Sequence, residues 1–233
     1  MTERRIVAMG GGGFSDDDPV LDRYVFDLVD ASRPRVCFVP TASGDIPPYL
    51  VRFYEAFPAR SFETSVLRLF QREVEDLDAF LGEHDVIYVG GGNTANLLDV
   101  WRRHGVDRAL ASAWEAGVVL CGVSAGANCW FEASTTDSFL VGRADPLLDG
   151  LGLLPGAFSP HFDSELARRP RFHELVGTGE LPDGLACDDF AAVRFDGTTL
   201  VEAVASRPGA GAYRVARSAS GATEERLPIR ALG

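Results

Sequence analysis

Short apolar runs alternate with amphipathic stretches through the first two thirds of the chain. Arg5–Met9 has the form of a strand that runs into Gly10–Gly13. Val20–Ala31 carries Leu21, Val25, Leu28 and Val29 at helical spacing. Arg35–Val39 predicts a second strand, stopped by Pro40, and Tyr49–Phe57 a helix. Ser65–Leu69 predicts a strand and Glu73–Leu81 a helix. Asp85–Val89 is a strongly apolar strand leading straight into Gly90-Gly91-Gly92. Asn93–His104 and Val106–Ala116 predict helices, and Val118–Cys121 a further strand. Strands and helices alternating at these lengths imply βαβ crossovers and a parallel sheet covered on both faces. Beyond Leu153 the pattern changes. Ala191–Phe195, Thr199–Val204 and Ala212–Val215, separated by Asp196-Gly197 and Pro208-Gly209, predict short antiparallel strands. The expectation is one α/β domain over residues 1–233, a doubly wound, mostly parallel sheet with a C-terminal antiparallel extension.

Charge narrows the partners. The 233 residues carry 22 basic and 34 acidic side chains, a formal net charge of −12. That balance argues against a nucleic-acid partner, which needs a basic footprint, and against acidic membrane surfaces. Every basic residue is arginine. The absence of lysine excludes a Schiff-base lysine, a P-loop lysine and a Ser–Lys dyad. The opening MTERRIVAMGGGGF reads as neither a signal peptide nor an anchor. No run approaches the ~18 apolar residues of a spanning helix. Cys37, Cys121, Cys129 and Cys187 lie far apart with no CxxC pair, so they read as buried thiols in a reducing cytoplasm. The scattered histidines give no metal-binding spacing, and no cofactor is expected. Gly10–Gly13 fails as a dinucleotide fingerprint, because Ser15 and Asp16 stand where its third glycine would fall. It reads instead as a turn after the first strand.

In an open parallel sheet ligands sit beyond the carboxyl ends of the strands. Three loops fall there: Gly10–Ser15, Gly90–Thr94 and Cys121–Ala127. The sharpest signal is Gly122-Val123-Ser124-Ala125-Gly126, between the strand VVLC and a segment, AGANCWFE, that can begin a helix. A G-x-S-x-G turn in that context lifts the serine hydroxyl above the sheet. The Ala125 amide, at the helix start, then points where an oxyanion would develop. A serine nucleophile needs a base, and there are four histidines. His84 falls at the opposite end of the sheet, His104 ends a helix beside Gly105, and His173 lies inside the expected helix Glu165–Val176. His161, in FSPHF, closes an apolar strand on the same rim as Ser124, and is the expected general base. For the orienting carboxylate the residues alone leave Glu132, Asp137, Asp163, Asp188 and Asp189 open.

The segments VGGGNTANLL (Val89–Leu98), GVSAGAN (Gly122–Asn128), SPHF (Ser159–Phe162) and LACDDFAAVRFDG (Leu185–Gly197) together resemble peptidase family S51, the peptidase E and cyanophycinase group. They span most of the chain in that family's order. The resemblance implies a flavodoxin-like, class I glutamine amidotransferase-type architecture and a serine peptidase of small peptides. It implies Ser124 as nucleophile, His161 as base and Asp188 as the acid, where the family usually has glutamate. Registering Asp196-Gly197 on the family's turn without a gap selects Asp188 over Asp189. The resemblance also implies the Gly92 amide as second oxyanion donor and a homodimer. Peptidase E members cleave dipeptides with N-terminal aspartate, using an arginine beyond the histidine. Here Arg168, Arg169 and Arg171 stand in that region, and Asn93, Asp137, Arg168 and Arg171 are the candidate substrate contacts. The rival readings are an esterase, amidase or cyanophycinase-like hydrolase on the same serine, and a catalytically silent ligand binder.

Overall fold

The computed structural model describes residues 3–233. In chain order it runs β1 (Arg5–Met9), α1 (Pro19–Phe26), β2 (Arg35–Val39), α2 (Pro47–Ala56), β3 (Glu63–Val66) and α3 (Leu77–Gly82). There follow β4 (Val86–Val89), α4 (Thr94–His104), α5 (Val106–Glu115), β5 (Val119–Val123) and α6 (Ala125–Asn128). The second half holds β6 (Phe131–Thr136), β7 (Asp145–Leu147), β8 (Leu154–Ser159), α7 (Arg168–Thr178) and β9 (Gly184–Cys187). It ends with β10 (Ala191–Asp196), β11 (Thr199–Ala205), β12 (Ala212–Ser218), β13 (Gly221–Arg226) and β14 (Ile229–Ala231).

The main sheet has eight strands in the order β14-β11-β10-β1-β5-β4-β2-β3. Its β1, β5, β4, β2 and β3 pair in parallel, while β10 joins β1 antiparallel. Strand β4 is buried throughout, as a strand covered on both faces requires. Asp18, Asp76 and Asn93 cap α1, α3 and α4 by accepting a backbone N–H of the first turn. One of these caps also explains a shifted boundary. Asp76 delays α3 to Leu77, with Glu73–Glu75 left in the connection, where Arg72 clasps the Val74 and Glu75 carbonyls. Helix α1 ends at Phe26, and Leu28 and Val29 pack on the core from the turn beyond.

A second sheet of six strands, in the order β13-β12-β9-β8-β6-β7, was not foreseen. The late strands divide between the two sheets: β10 and β11 extend the first, whereas β12 pairs with β9 in the second. The pairs β6–β8 and β8–β9 are parallel, so the second sheet is mixed rather than purely antiparallel. The segment after Ser124 is correspondingly one short helical turn and then a strand. One apolar cluster joins the sheets, with Ile6, Ala8, Val193 and Phe195 from the first against Phe131, Phe158, Leu185 and Cys187 from the second. The other face of the first sheet packs on α1 and α2 through Phe14, Leu21, Val25, Phe53 and Phe57. The four cysteines are free and buried. No helix of the described residues is long and apolar enough to cross a membrane.

Asp22 on α1 is a buried carboxyl that accepts a 3.0 Å bond from Tyr88. Burial raises its pKa from an ordinary 3.8 to about 7, against the opposing Tyr88 bond. The folded state therefore holds this proton more tightly than the unfolded chain. Its contribution to stability is present below about 4 and is lost as pH rises through about 7, at most about 1.4 kcal/mol per pH unit. Asp22→Asn, which cannot ionise, should gain stability relative to the parent as pH rises across that window; denaturant melts between pH 4 and 8 check it, and a constant difference contradicts it.

Candidate active site

Ser124 sits between β5 and α6 with φ +56° and ψ −113°, a conformation that costs about 1–3 kcal/mol in a residue bearing a side chain. The turn is tight because its glycines have no room for more. A methyl group on Gly122 would overlap the Gly126 carbonyl, and one on Gly126 the Val89 carbonyl. The Ser124 N–H donates to the Met9 carbonyl at 3.1 Å, which fixes the turn against the end of β1.

Beyond Met9, β1 runs into the end of β9. A side chain on Gly10 would strike the Cys187 and Asp188 carbonyls, and one on Gly11 would strike the Asp189 carboxylate. That same Gly11 position lies 3.3 Å from His161 Cε1. Gly11 bridges Asp189 in parallel, and the Phe190 N–H donates to the Gly11 carbonyl at 3.1 Å. The glycine run, expected as a turn near the pocket, is also the junction where the two sheets meet. It carries Ser124 on one side and the His161–Asp189 pair on the other.

His161 follows β8 with φ +50°, and Phe190, after the acidic pair, has φ +64°. Ser124, His161 and Phe190 are three of the five non-glycine residues with positive φ among the described residues, so backbone strain gathers in these loops. His161 Nδ1 lies 2.6 Å from Asp189 Oδ1. This corrects the assignment of Asp188 as the imidazole's partner. Asp188 instead accepts from the Gly211 N–H at 2.9 Å and the Tyr213 hydroxyl at 3.1 Å. The reason is strand alternation: Asp188 continues the face of Ala186, which packs with Tyr213 under α7, and Asp189 turns toward Gly11.

The two carboxyls also differ electrostatically. Burial and the nearby Asp163 charge raise the pKa of Asp188. For Asp189 burial is outweighed by the bonds from His161 and Ser164 and by the charge of Arg207, so its pKa is lowered. An ionised carboxylate only accepts, so Nδ1 carries the proton of a neutral imidazole. Nε2 is then the free acceptor, the tautomer a general base needs.

The remaining candidates separate clearly. The Gly92 and Ala125 amides, expected as oxyanion donors, meet no protein acceptor among the described residues. Gly91 lies against Ser124, and its own N–H donates to the Tyr49 hydroxyl at 3.1 Å. Asn93 does not present its amide to the site: Oδ1 accepts from Asn96 N–H and Nδ2 donates to the Ser138 carbonyl. Arg168, only 3% exposed, holds Glu165 at 2.6 Å and the Thr135 carbonyl at 2.7 Å, with Asp137 at 3.7 Å. Arg171 pairs with Glu174 at 2.7 Å, and Arg169 with Glu224. Glu132 accepts from the Gly156 N–H, and Asp163 from the Asp189 N–H. His84 bonds Ser65 and His173 bonds Glu224. Among the described residues no cluster of three metal-ligating side chains occurs.

Two solved structures share this fold. One is a peptidase from an acI-B1 Actinobacterium, 18% identical with a TM-score of 0.69 over 97% of this chain and 95% of that one. The other is a putative peptidase E from Listeria monocytogenes EGD-e, 20% identical with a TM-score of 0.62 over 86% and 98%. The chain belongs to peptidase family S51, whose model matches residues 6–203. It is 48% identical to the uncharacterized peptidase YgaJ of Bacillus subtilis (strain 168), over 99% of this chain and all of that protein. It is also 32% identical to peptidase E of Streptomyces coelicolor, over 60% of this chain and 57% of the relative.

Replacing Gly11 by alanine should push Asp189 off the imidazole while sparing the core. The expected outcome is a folded protein whose serine reacts much more slowly with a fluorophosphonate; labelling at the parent rate would contradict the junction's role.

Proposed function

We propose that this protein is a serine peptidase of small peptides, with Ser124 as nucleophile, His161 as general base and Asp189 as the orienting carboxylate. The observation that carries the reading is the 2.6 Å His161–Asp189 pair, held across the glycine junction from the strained Ser124 turn. His161 Nε2 takes the Ser124 proton as Oγ bonds to the scissile carbonyl carbon. The carbonyl oxygen becomes an oxyanion, for which Gly92 and Ala125 offer their uncommitted amides. His161 returns the proton to the leaving amine as the C–N bond breaks. Water, deprotonated by the same imidazole, then releases the acyl group and restores Ser124. Asp189 stays ionised throughout and stabilises the imidazolium.

Cleavage of Asp-X dipeptides needs a cation free to meet the substrate carboxylate. Arg168 is spent on Glu165, Thr135 and Asp137, and Arg171 on Glu174. With Arg169 also held by Glu224, the arginines beyond His161 favour peptides without an acidic side chain. Arg207, 3.4 Å over the Phe190 ring beside Asp189, is the cation left for an aspartyl substrate to meet. A panel of short peptides differing in the N-terminal residue, read by mass spectrometry with Ser124→Ala alongside, tests this. Serine-dependent cleavage of neutral peptides is expected; cleavage confined to Asp-X would overturn the specificity, and cleavage unaffected by Ser124→Ala would overturn the mechanism. Asp189→Asn should lower kcat by roughly 10^3- to 10^4-fold. Asp188→Asn should cost far less, and the reverse ranking would return the orienting role to Asp188.

A further inference from the structure

A cleft of about 540 Å³ opens between α1 and α2, and none of Ser124, His161 and Asp189 lines it. Its apolar wall is four phenylalanines in contact with one another. The Phe14 ring lies 5.4 Å from that of Phe57, and the Phe26 ring 5.2 Å from Phe57 and 4.8 Å from Phe62. Phe14 and Phe57 are buried and Phe26 and Phe62 half-buried, so this wall runs from the core to the surface. Asp22 also lines the cleft, at 4% exposed, and gives one oxygen to the Tyr88 hydroxyl. The charge that acts on it is that of Asp18, of its own sign. Asp18 is itself held by uncharged donors, the Val20 N–H and the Ser206 hydroxyl. The exposed charges of the cleft balance, with Asp17 and Glu55 against Arg23 and Arg52, and Arg52 is already on Asp17 at 3.1 Å. The buried charges do not balance. A carboxyl buried among hydrocarbon needs a cation or a proton. Asp22 has only the proton, which is why burial lifts its pKa to about 7.

We propose that this cleft is a binding site for a small organic cation, whose ammonium group meets Asp22 and whose apolar body lies among Phe14, Phe26, Phe57 and Phe62. The ammonium supplies the charge that Asp22 lacks, beside aromatic faces that attract cations. The body sheds water against the same rings. An anion would be repelled by Asp18 and Asp22, and a neutral guest would leave Asp22 without a cation. The volume falls within the roughly 300–1,000 Å³ of small-molecule sites. The site does not depend on the reading of Ser124 as a nucleophile.

Isothermal titration calorimetry with phenethylamine, 2-phenylethanol and 3-phenylpropionate tests this, because the three share a phenyl body and differ in charge. At about pH 8 Asp22 is largely ionised and the amine still carries its proton. Phenethylamine should bind about tenfold more tightly than the alcohol, and the acid most weakly of the three. Asp22→Asn keeps the shape of the side chain and removes its charge, so it should erase the difference between amine and alcohol. Phe26→Ala, at the half-buried end of the wall, should weaken both. Equal affinity of the parent for amine and alcohol would overturn the proposal, as would a preference for the acid or no binding of the amine. So would an Asp22→Asn protein that binds the amine as the parent does. Should Asp22→Asn fail to fold, Phe26→Ala decides, and an unchanged Kd for phenethylamine there would remove the site.

Discussion

Everything in the candidate site depends on one close approach of backbones, where β1 ends against β9. Gly10 and Gly11 have no side chains, so the Cys187 and Asp188 carbonyls and the Asp189 carboxylate occupy the space a Cβ would need. Through this contact the eight-stranded sheet, which carries Ser124, meets the six-stranded sheet, which carries His161 and Asp189. Neither sheet holds a complete constellation. The apolar cluster shared by both faces keeps the junction closed, with Phe131 and Phe158 stacked at 4.8 Å behind it.

That closure also sustains local strain. Ser124, His161 and Phe190 each hold a positive φ at a cost of about 1–3 kcal/mol, and each is flanked by buried strand. The strain has a geometric product: chain leaving a strand end is turned back at once, so that its side chain stands on the rim. The Asp189–His161 bond then selects one tautomer. Its neighbour Asp188 carries the same chemistry but is spent on Gly211 and Tyr213, and so holds β9 to the chain entering β12.

Much of this was legible in the sequence, for identifiable reasons. Arg35–Val39 was bounded by Pro40, which ends a strand, and it fell where expected. The Gly-x-Ser-x-Gly turn was readable because its glycines are sterically required. The second sheet was not, since β6 to β9 pair across long connections and show only weak alternation. The choice between two adjacent aspartates turned on a register that an ungapped match to the Asp196-Gly197 turn set one residue off. The alternation of Leu185, Ala186 and Cys187 carried the needed signal, because it sends Asp188 beneath α7. The arginines beyond His161 are all committed: Arg169 to Glu224 from a distant strand, Arg168 to nearby Glu165 with Asp137 from a distant loop at 3.7 Å, and Arg171 to nearby Glu174.

The central claim is that Asp189 holds the His161 imidazole by its Nδ1 proton. Proton NMR in water reads that bond directly, because a short bond from Nδ1–H to a carboxylate shifts its proton far downfield. The account predicts such a resonance in the parent and in Asp188→Asn, and its loss in Asp189→Asn and His161→Ala. A resonance that survives in Asp189→Asn and vanishes in Asp188→Asn would contradict it.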